Sequence, residues 1–167
     1  PLQPRLATIF NNAGIPLLEG YGLTETSPVL TVNPFKKNAI RAGSVGTTLP
    51  SVQIKIAEDG EILAKAPSVM LGYYKDEEST KASFTVDGWL KTGDIGHFTD
   101  DQYLVITDRK KDLFKTSGGK YVAPSLLENK LKESPYIEQV AIVGDGEKFV
   151  SALIVPNFDL LKNWCKS

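Results

Sequence analysis

Cysteine and histidine are almost absent from this chain: Cys165 and His97 are the only ones among 167 residues. A lone cysteine cannot close an internal disulfide, so burial and hydrogen bonds must hold the fold, and a reducing, cytoplasmic setting is expected. A lone histidine excludes a His-rich metal site and any triad that needs a second imidazole. Cys165 has no His or Asp close by in sequence to activate it, and His97 falls in a predicted strand, so both are read as structural. Charge of one sign is not in excess. Nineteen basic against twenty acidic side chains give a net charge of −1, which argues against general nucleic-acid affinity. No apolar run approaches the ~20 residues of a membrane span, and the opening residues do not read as a secretory leader. What remains is ordinary for a globular domain, with 41% hydrophobic and 23% charged residues, enough to build a core.

Hydrophobic spacing divides the chain into segments. Leu2, Leu6, Ile9, Phe10 and Ala13 recur at helical intervals and Gly14 suits a C-terminal cap, predicting an amphipathic opening helix. IPLLE (15–19) reads as a short buried strand feeding the glycine-rich stretch GYGLTETSP (20–28). VNPFKKNAIRAGSVGTTLP (32–50) is rich in turn formers and reads as loop. Val52, Ile54 and Ile56 then alternate with polar residues, EDGE turns the chain, and EILAKA returns as the second arm of a β-hairpin. Asp76 is placed to cap a short helix ending near Phe84, and WLKTGDIGHF and YLVIT predict two more strands around a DDQ turn. Residues 43–107 are thus expected to form a small, mostly antiparallel, barrel-like β subdomain.

The polar run TDRKKD (107–112) marks a boundary. Beyond it, LFKTSGGKYVAP predicts a strand and a Gly-Gly turn. Ser125 and Glu128 predict a capping box just after Pro124, with Glu128 and Lys132 spaced for an ion pair. VAIVG and FVSALIV predict a hairpin, and NFDLLKNWCKS a last helix. The expected fold class is α+β, the β subdomain being followed by a second, smaller α+β unit.

Three segments carry more polar specificity than a surface loop requires. In GYGLTE, glycines let a backbone approach a ligand closely. Tyr21 offers a flat face to a base, and such stacking is worth roughly 1–3 kcal/mol. Thr24 can bond a phosphate oxygen, and Glu25 is a hard oxygen ligand suited to Mg²⁺. An exposed loop running into a helix explains the same residues. In TGD, Asp94 can accept both hydroxyls of a ribose or simply bond its own backbone in a turn. In TDR, Arg109 offers a planar donor fork to ribose or phosphate oxygens, or belongs to a solvated charge run.

Taken in order, EGYGLTETSP, GWLKTGDIG and DRKKDLFKTSGGKYVAP resemble the adenylate-forming superfamily of acyl-CoA synthetases, luciferases and peptide-synthetase adenylation domains. With LLEN, SPYIEQVAIVGDG and ALIVP, the last segment is similar to the long-chain fatty acyl-CoA synthetase branch, and the resemblance runs the length of the chain. It implies that Tyr21 stacks on adenine while Glu19, Gly20 and Gly22 line the base. It implies further that Thr24 contacts the α-phosphate and Glu25 holds Mg²⁺, which makes these two the expected catalytic residues. Asp94 and Arg109 would take the ribose hydroxyls. Lys111 would be the hinge between the end of a large N-terminal domain (1–110) and a C-terminal lid (111–167). Gly118, with Lys115 and Lys120 nearby, would line the pantetheine tunnel for CoA, although a solvated loop explains the two lysines equally well.

The implied activity is ATP- and Mg²⁺-dependent joining of a fatty acid to CoA through an acyl-adenylate. The family's phosphate-cradling loop, its adenylation lysine and much of its acyl pocket have no counterpart in these residues. The chain is therefore expected to be an inactive fragment of the ligase. Two alternatives stay open: a non-catalytic module that binds adenine nucleotides or a partner, and an aryl-CoA, acyl-carrier or amino-acid adenylating relative. Residues 1–33 have apolar faces without an evident cover, so they are expected to be shielded by a second copy or to be the least stable part. Acyl chain length and peripheral membrane contact stay open too.

Overall fold

Alternation and turn chemistry account for most of the strands in the computed structural model, which describes residues 2, 4–36 and 39–165. Lys37 and Asn38 of the expected loop and Lys166 and Ser167 of the expected last helix lie outside the described residues. Contacts divide the chain into Pro1–Ile106 and Thr107–Ser167.

The first unit opens with helix α1 (Pro4–Asn12), which stops before Gly14 at φ 81°. Ala7 is buried, but Leu6, Ile9 and Phe10 on the apolar face are exposed. Residues 15–19 do not form the expected strand. A strand needs a neighbouring backbone, and here the Leu17 N–H goes to the Asn11 side-chain carbonyl instead, at 2.9 Å, leaving Ile15 53% exposed. Pairing starts one residue later. Strand β1 (Gly20–Gly22) runs antiparallel to β2 (Val29–Val32), and β2 pairs with β3 (Thr47–Thr48). Val32 and Thr47–Thr48 of the expected loop are thus strand, and Leu30 and Thr31, just ahead of it in β2, are wholly buried. Among residues 1–33 the exposed apolar side chains are Leu2, Leu6, Ile9, Phe10, Ile15, Leu18 and Val29, while Tyr21 and Leu30 belong to the core.

Between β2 and β3 the chain is organised by buried Asn33. Its amide donates to the Ser44 carbonyl at 2.8 Å, and its carbonyl accepts the Arg41 N–H at 3.0 Å. The second sheet has the order β4 (Gln53–Ile56), β5 (Glu61–Lys65), β6 (Leu90–Phe98), β7 (Leu104–Arg109). In its first hairpin Ile54 faces Ala64 and Ile56 faces Ile62, as the alternation requires. One core joins both sheets: Tyr21, Leu30, Val45, Ile62, Ala64 and Leu104. Helix α2 (Glu77–Ser83) starts where expected, with the Asp76 carboxylate accepting the Ser79 N–H at 2.9 Å.

The second unit contains a two-stranded hairpin, β8 (Phe114–Lys115) with β9 (Tyr121–Val122), then α3 (Pro124–Leu131). Strands β10 (Ile137–Val143) and β11 (Ser151–Pro156) form a second hairpin, followed by α4 (Phe158–Trp164). The capping box is not present. Pro124 takes the first helical position, which puts Ser125 inside the helix, and the cap comes from a distant side chain: Asp108 accepts the Ser125 N–H at 3.3 Å and its hydroxyl at 3.1 Å. Glu128 instead accepts the Ile142 N–H at 2.9 Å and fastens α3 to β10. The fold is α+β with antiparallel sheets, and among the described residues no helix is long and apolar enough to cross a membrane.

At the rim of the second sheet Asp87 accepts the Thr85 hydroxyl at 2.6 Å and the Lys55 ammonium at 3.0 Å, beside the Trp89 ring. These bonds, the hydroxyl first, favour the charged form and lower its carboxyl from 3.8 to about 2. The folded-state value is depressed, so this stabilisation is present above the ordinary carboxylate range and is lost as pH falls from about 4 towards 2. In a carboxyl-carbon NMR titration Asp87 should show a midpoint near 2, and Thr85→Val should raise it more than Lys55→Met does. A midpoint at the ordinary 3.8 would mean the hydroxyl contact does not persist in solution.

Candidate nucleotide site

GYGLTETSP closes on itself. After β1, Thr24–Thr26 form one 3₁₀ turn, Ser27 takes a left-handed conformation at φ 53°, and Pro28 leads into β2. The clasp is Thr26, fully buried: its hydroxyl oxygen accepts the Leu23 N–H at 2.9 Å and lies 2.6 Å from the Pro28 carbonyl, to which it donates. The closure leaves no room at Gly22, where a Cβ would sit 1.6 Å from the Pro28 carbonyl oxygen. Gly22 is therefore required by the loop's own backbone, whatever a ligand also gains from it. Gly20 faces a milder restriction, its Cβ position lying 3.1 Å from the Thr31 oxygen.

Tyr21 points inward from β1, 9% exposed, with its ring in the core. Its hydroxyl donates to the Asp94 carboxylate at 2.8 Å, so two residues singled out from separate motifs meet. The TGD triplet is not a turn. It is a bulge inside β6: Glu61 pairs with Ile95 and Leu63 with Lys91, which leaves Thr92, Gly93 and Asp94 opposite Ile62. The extra residues re-aim Asp94 out of the ladder. Gly93 takes φ 73°, Thr92 donates its hydroxyl to the Ile62 carbonyl at 2.7 Å, and buried Glu61 accepts the Gly93 N–H at 3.0 Å. Asp94 is 5% exposed, a buried carboxylate that needs donors, and the phenol supplies one.

Glu19 braces the loop from below: its carboxylate accepts the Leu2 N–H at 3.2 Å and the Gly43 N–H at 3.4 Å. Thr24 is exposed on the 3₁₀ turn. Glu25 is half-buried beside it, and its carboxylate accepts the Tyr73 hydroxyl at 2.9 Å while its main-chain carbonyl accepts the Met70 N–H at 2.7 Å. That bond raises the Tyr73 phenol above its usual range, with partial desolvation adding to it. Thr26 and Tyr73 were not singled out from sequence. Thr26 lies inside the quoted motif but reads as one more hydroxyl, and Tyr73 is 48 residues from its partner.

Among the described residues no group of three or more His, Cys, Asp or Glu side chains could hold a metal on its own. Magnesium does not need one, because it binds through one or two carboxylates together with substrate phosphates and waters. Glu25 suits that role: one oxygen is committed to Tyr73, and Oε2 accepts no hydrogen bond from the described residues.

The remaining expected residues lie in the second unit. Arg109 ends β7 and precedes the turn Lys110–Asp112, which holds Lys111. Lys115 and Lys120 flank the TSGG turn, where the Thr116 N–H meets the Lys120 carbonyl at 2.9 Å and the Lys115 ammonium lies 5.3 Å from the Tyr121 ring centre. This hairpin is tied to the loop at 144–147: the Ser117 N–H reaches the Glu147 carbonyl and the Gly146 N–H reaches the Lys115 carbonyl, both at 2.9 Å. A Cβ at Gly118 would meet only the Thr116 hydroxyl at 3.9 Å, so local packing does not require glycine there.

Residues 1–74 match the family model of the AMP-binding enzymes, and residues 111–163 match that of the AMP-binding enzyme C-terminal domain. The chain is 42% identical over 164 residues to a long-chain-fatty-acid–CoA ligase, FadD15, of Mycobacterium tuberculosis, covering 98% of this chain and 27% of that protein. It is 38% identical over 147 residues to a 2-succinylbenzoate–CoA ligase of Listeria monocytogenes, covering 88% of this chain and 31% of that protein. Among solved structures it is similar to the O-succinylbenzoate CoA synthetase of Bacillus subtilis in complex with ATP and magnesium, with a TM-score of 0.80 and 31% identity over 99% of this chain and 38% of the other. The chain thus spans between a quarter and two fifths of the length of these proteins.

Removing the Thr26 hydroxyl should cost less than adding a methyl to Gly22. Thr26→Val leaves the Leu23 N–H and the Pro28 carbonyl unpaired, a loss of about 1–3 kcal/mol. Gly22→Ala forces backbone apart and should cost about 3 kcal/mol or more. Urea unfolding followed by Trp89 fluorescence, in a Trp164→Phe background, reads both. Equal costs, or a silent Gly22→Ala, would mean the loop is not closed as described.

Proposed function

Because the chain belongs to the family of AMP-binding, adenylate-forming enzymes, we propose that it forms part of an AMP-forming acyl-CoA ligase acting on a long-chain fatty acid in the cytoplasm. The observation that carries the nucleotide assignment is the buried Asp94 on its bulge, clasped by Tyr21 from beneath GYGLTE. A carboxylate fixed in that way is suited to accept both hydroxyls of a ribose, since its position is set before the ligand arrives. On this proposal residues 1–110 are the end of the large domain, 111–167 belong to the lid, and Lys111 is the hinge.

Tyr21, with Glu19 and the backbone of Gly20 and Gly22, forms the adenine side. Thr24, exposed at the head of the turn, donates to an α-phosphate oxygen, and Arg109 adds its donor fork to the ribose. Glu25 holds the cation, and Mg²⁺, when bound, offsets the charge on the phosphate oxygens. The acyl carboxylate attacks the α-phosphorus of ATP and pyrophosphate leaves. The sulfur of CoA then attacks the acyl carbonyl, AMP leaves, and the thiol proton is lost to solvent. Gly118 flanks the incoming pantetheine arm, where the missing side chain lets the arm approach the backbone, and Lys115 and Lys120 stand at the two ends of the turn that carries it.

A second substrate class is supported by the relatives named for 2-succinylbenzoate, at 38% identity, which makes an aryl acid the main competitor. Full-length protein should be given ATP, Mg²⁺, CoA and a panel of medium- and long-chain fatty acids, benzoate and 2-succinylbenzoate, with pyrophosphate and thioester both measured. Turnover should be highest with the long-chain acids, and the 167-residue chain assayed in parallel should bind AMP but form no thioester. Preference for 2-succinylbenzoate would replace the fatty acid with an aryl acid. Nucleotide binding by the full-length protein with no pyrophosphate release would leave a binding module.

A further inference from the structure

Glu25 sits on a short surface turn, where a glutamate would ordinarily sample several rotamers. Here it is gripped twice by one segment far away in sequence. The Met70 N–H donates to the Glu25 main-chain carbonyl at 2.7 Å, and three residues on the Tyr73 hydroxyl donates to Oε1 at 2.9 Å. That segment is itself braced. The Tyr73 N–H donates to the Thr80 hydroxyl at 2.9 Å, and the Thr80 hydroxyl donates to the Asp76 carbonyl at 2.7 Å in the first turn of α2. Tyr73 and Asp76 also form an antiparallel bridge, and Asp76 caps the helix. Gly72 permits this approach, since a Cβ there would lie 2.6 Å from the Thr80 methyl. A continuous line of contacts therefore runs from α2 through Thr80 and Tyr73 to the carboxylate of Glu25.

We propose that Tyr73 is a positioning residue for the metal: its hydroxyl locks Oε1 of Glu25 so that Oε2 is presented as the single oxygen ligand to Mg²⁺ in the nucleotide complex. The inference rests on the assignment of Glu25 to Mg²⁺ made above. A phenol fits the task because it donates one hydrogen bond without adding positive charge beside a dication, as a lysine would. Holding the carboxylate in place beforehand lowers the ordering cost of metal binding, which is how an outer partner of a ligand raises affinity.

Two measurements on the 167-residue chain test this. In the metal-free protein, the Glu25 carboxyl carbon in Tyr73→Phe should move to the NMR shift of a solvated glutamate and lose order, while the amide pattern of residues 20–33 stays native. In the second, AMP affinity and the Mg²⁺-dependent tightening of ATP binding are measured by calorimetry for wild type, Tyr73→Phe, Glu25→Gln and the double variant. Tyr73→Phe should weaken apparent Mg²⁺ affinity by about tenfold with AMP affinity within about twofold, and the double variant should be no weaker than Glu25→Gln alone. An unchanged Glu25 carboxyl, an unchanged Mg²⁺ response, or equal losses for AMP and Mg-ATP in Tyr73→Phe would each overturn the role of Tyr73 while leaving Glu25 as the ligand. A Mg²⁺ response untouched by Glu25→Gln, or no nucleotide binding by wild type, would overturn the assignment of Glu25 and the inference with it.

Discussion

The hydrogen bond from Tyr21 to Asp94, 2.8 Å long and spanning 73 positions of sequence, is the constraint around which the first unit is arranged. A carboxylate only 5% exposed has to be met by donors, because burying it unpaired would cost several kcal/mol. The ladder of β6 cannot supply them at that point, since its backbone groups face β5 and β7. The bulge at Thr92–Asp94 breaks the ladder, turns the side chain towards β1, and lets the phenol reach it. The same phenol belongs to a ring buried with Leu30, Val45, Ile62, Ala64 and Leu104. Packing therefore fixes the donor, and the donor fixes the acceptor. The strand pairing, the core and the polar site cannot be changed independently.

Much of this was legible from periodicity. Val52, Ile54 and Ile56 face inward as their alternation requires, Asp76 caps α2, and the DDQ turn joins β6 to β7. Each depends on neighbours within a few residues, and local chemistry carries that information. The failures share the opposite property. IPLLE has the apolar run of a buried strand, but a strand also needs a partner along its length, and among the described residues β2 reaches only its last residue, where the Asn33 N–H meets the Glu19 carbonyl at 2.9 Å. Ser125 and Glu128 have the spacing of a capping box, yet Pro124 had already taken the first helical position and Asp108, 17 residues away, serves as the cap. VLTV was missed because turn formers surround it, while burial against the second sheet makes Leu30 and Thr31 its centre.

The candidate site divides along the same line. Tyr21, Glu25 and Asp94 stand out because their chemistry is visible residue by residue. Thr26, Tyr73 and the Gly22 constraint do not, because each is defined only by the backbone or side chain that the fold brings against it. Thr26 is the clearest case. Its hydroxyl is as polar as that of Thr24 two residues earlier, yet one is wholly buried and holds the turn shut while the other is exposed. A 3₁₀ turn makes that split unavoidable: at three residues per turn, positions two apart lie on different sides. Sequence places both hydroxyls in the motif, and only the turn's geometry says which one can meet a phosphate.

The two units keep their shape by different means. The first buries several polar side chains (Thr26, Thr31, Asn33, Ser44, Glu61 and Asp94), and none of its buried side-chain atoms lacks a partner among the described residues. Buried polar groups are costly if half-satisfied and specifying when all are paired, so the Thr26 bonds hold the GYGLTETSP loop in one arrangement. In the second unit Val140 and Asp108 are the buried residues among those described, while Leu153, Val155 and Trp164 stay exposed. A two-stranded ribbon with so little burial is marginal on its own. Its order rests on point contacts instead: Asp108 at the start of α3, Glu128 on the backbone of β10, and Asn157 at the start of α4. Point contacts of this kind set local geometry without a large apolar core, so the second unit should open at lower free energy than the first. Tyr21, Glu25 and Asp94, the residues proposed for the nucleotide, all lie on the first kind of scaffold.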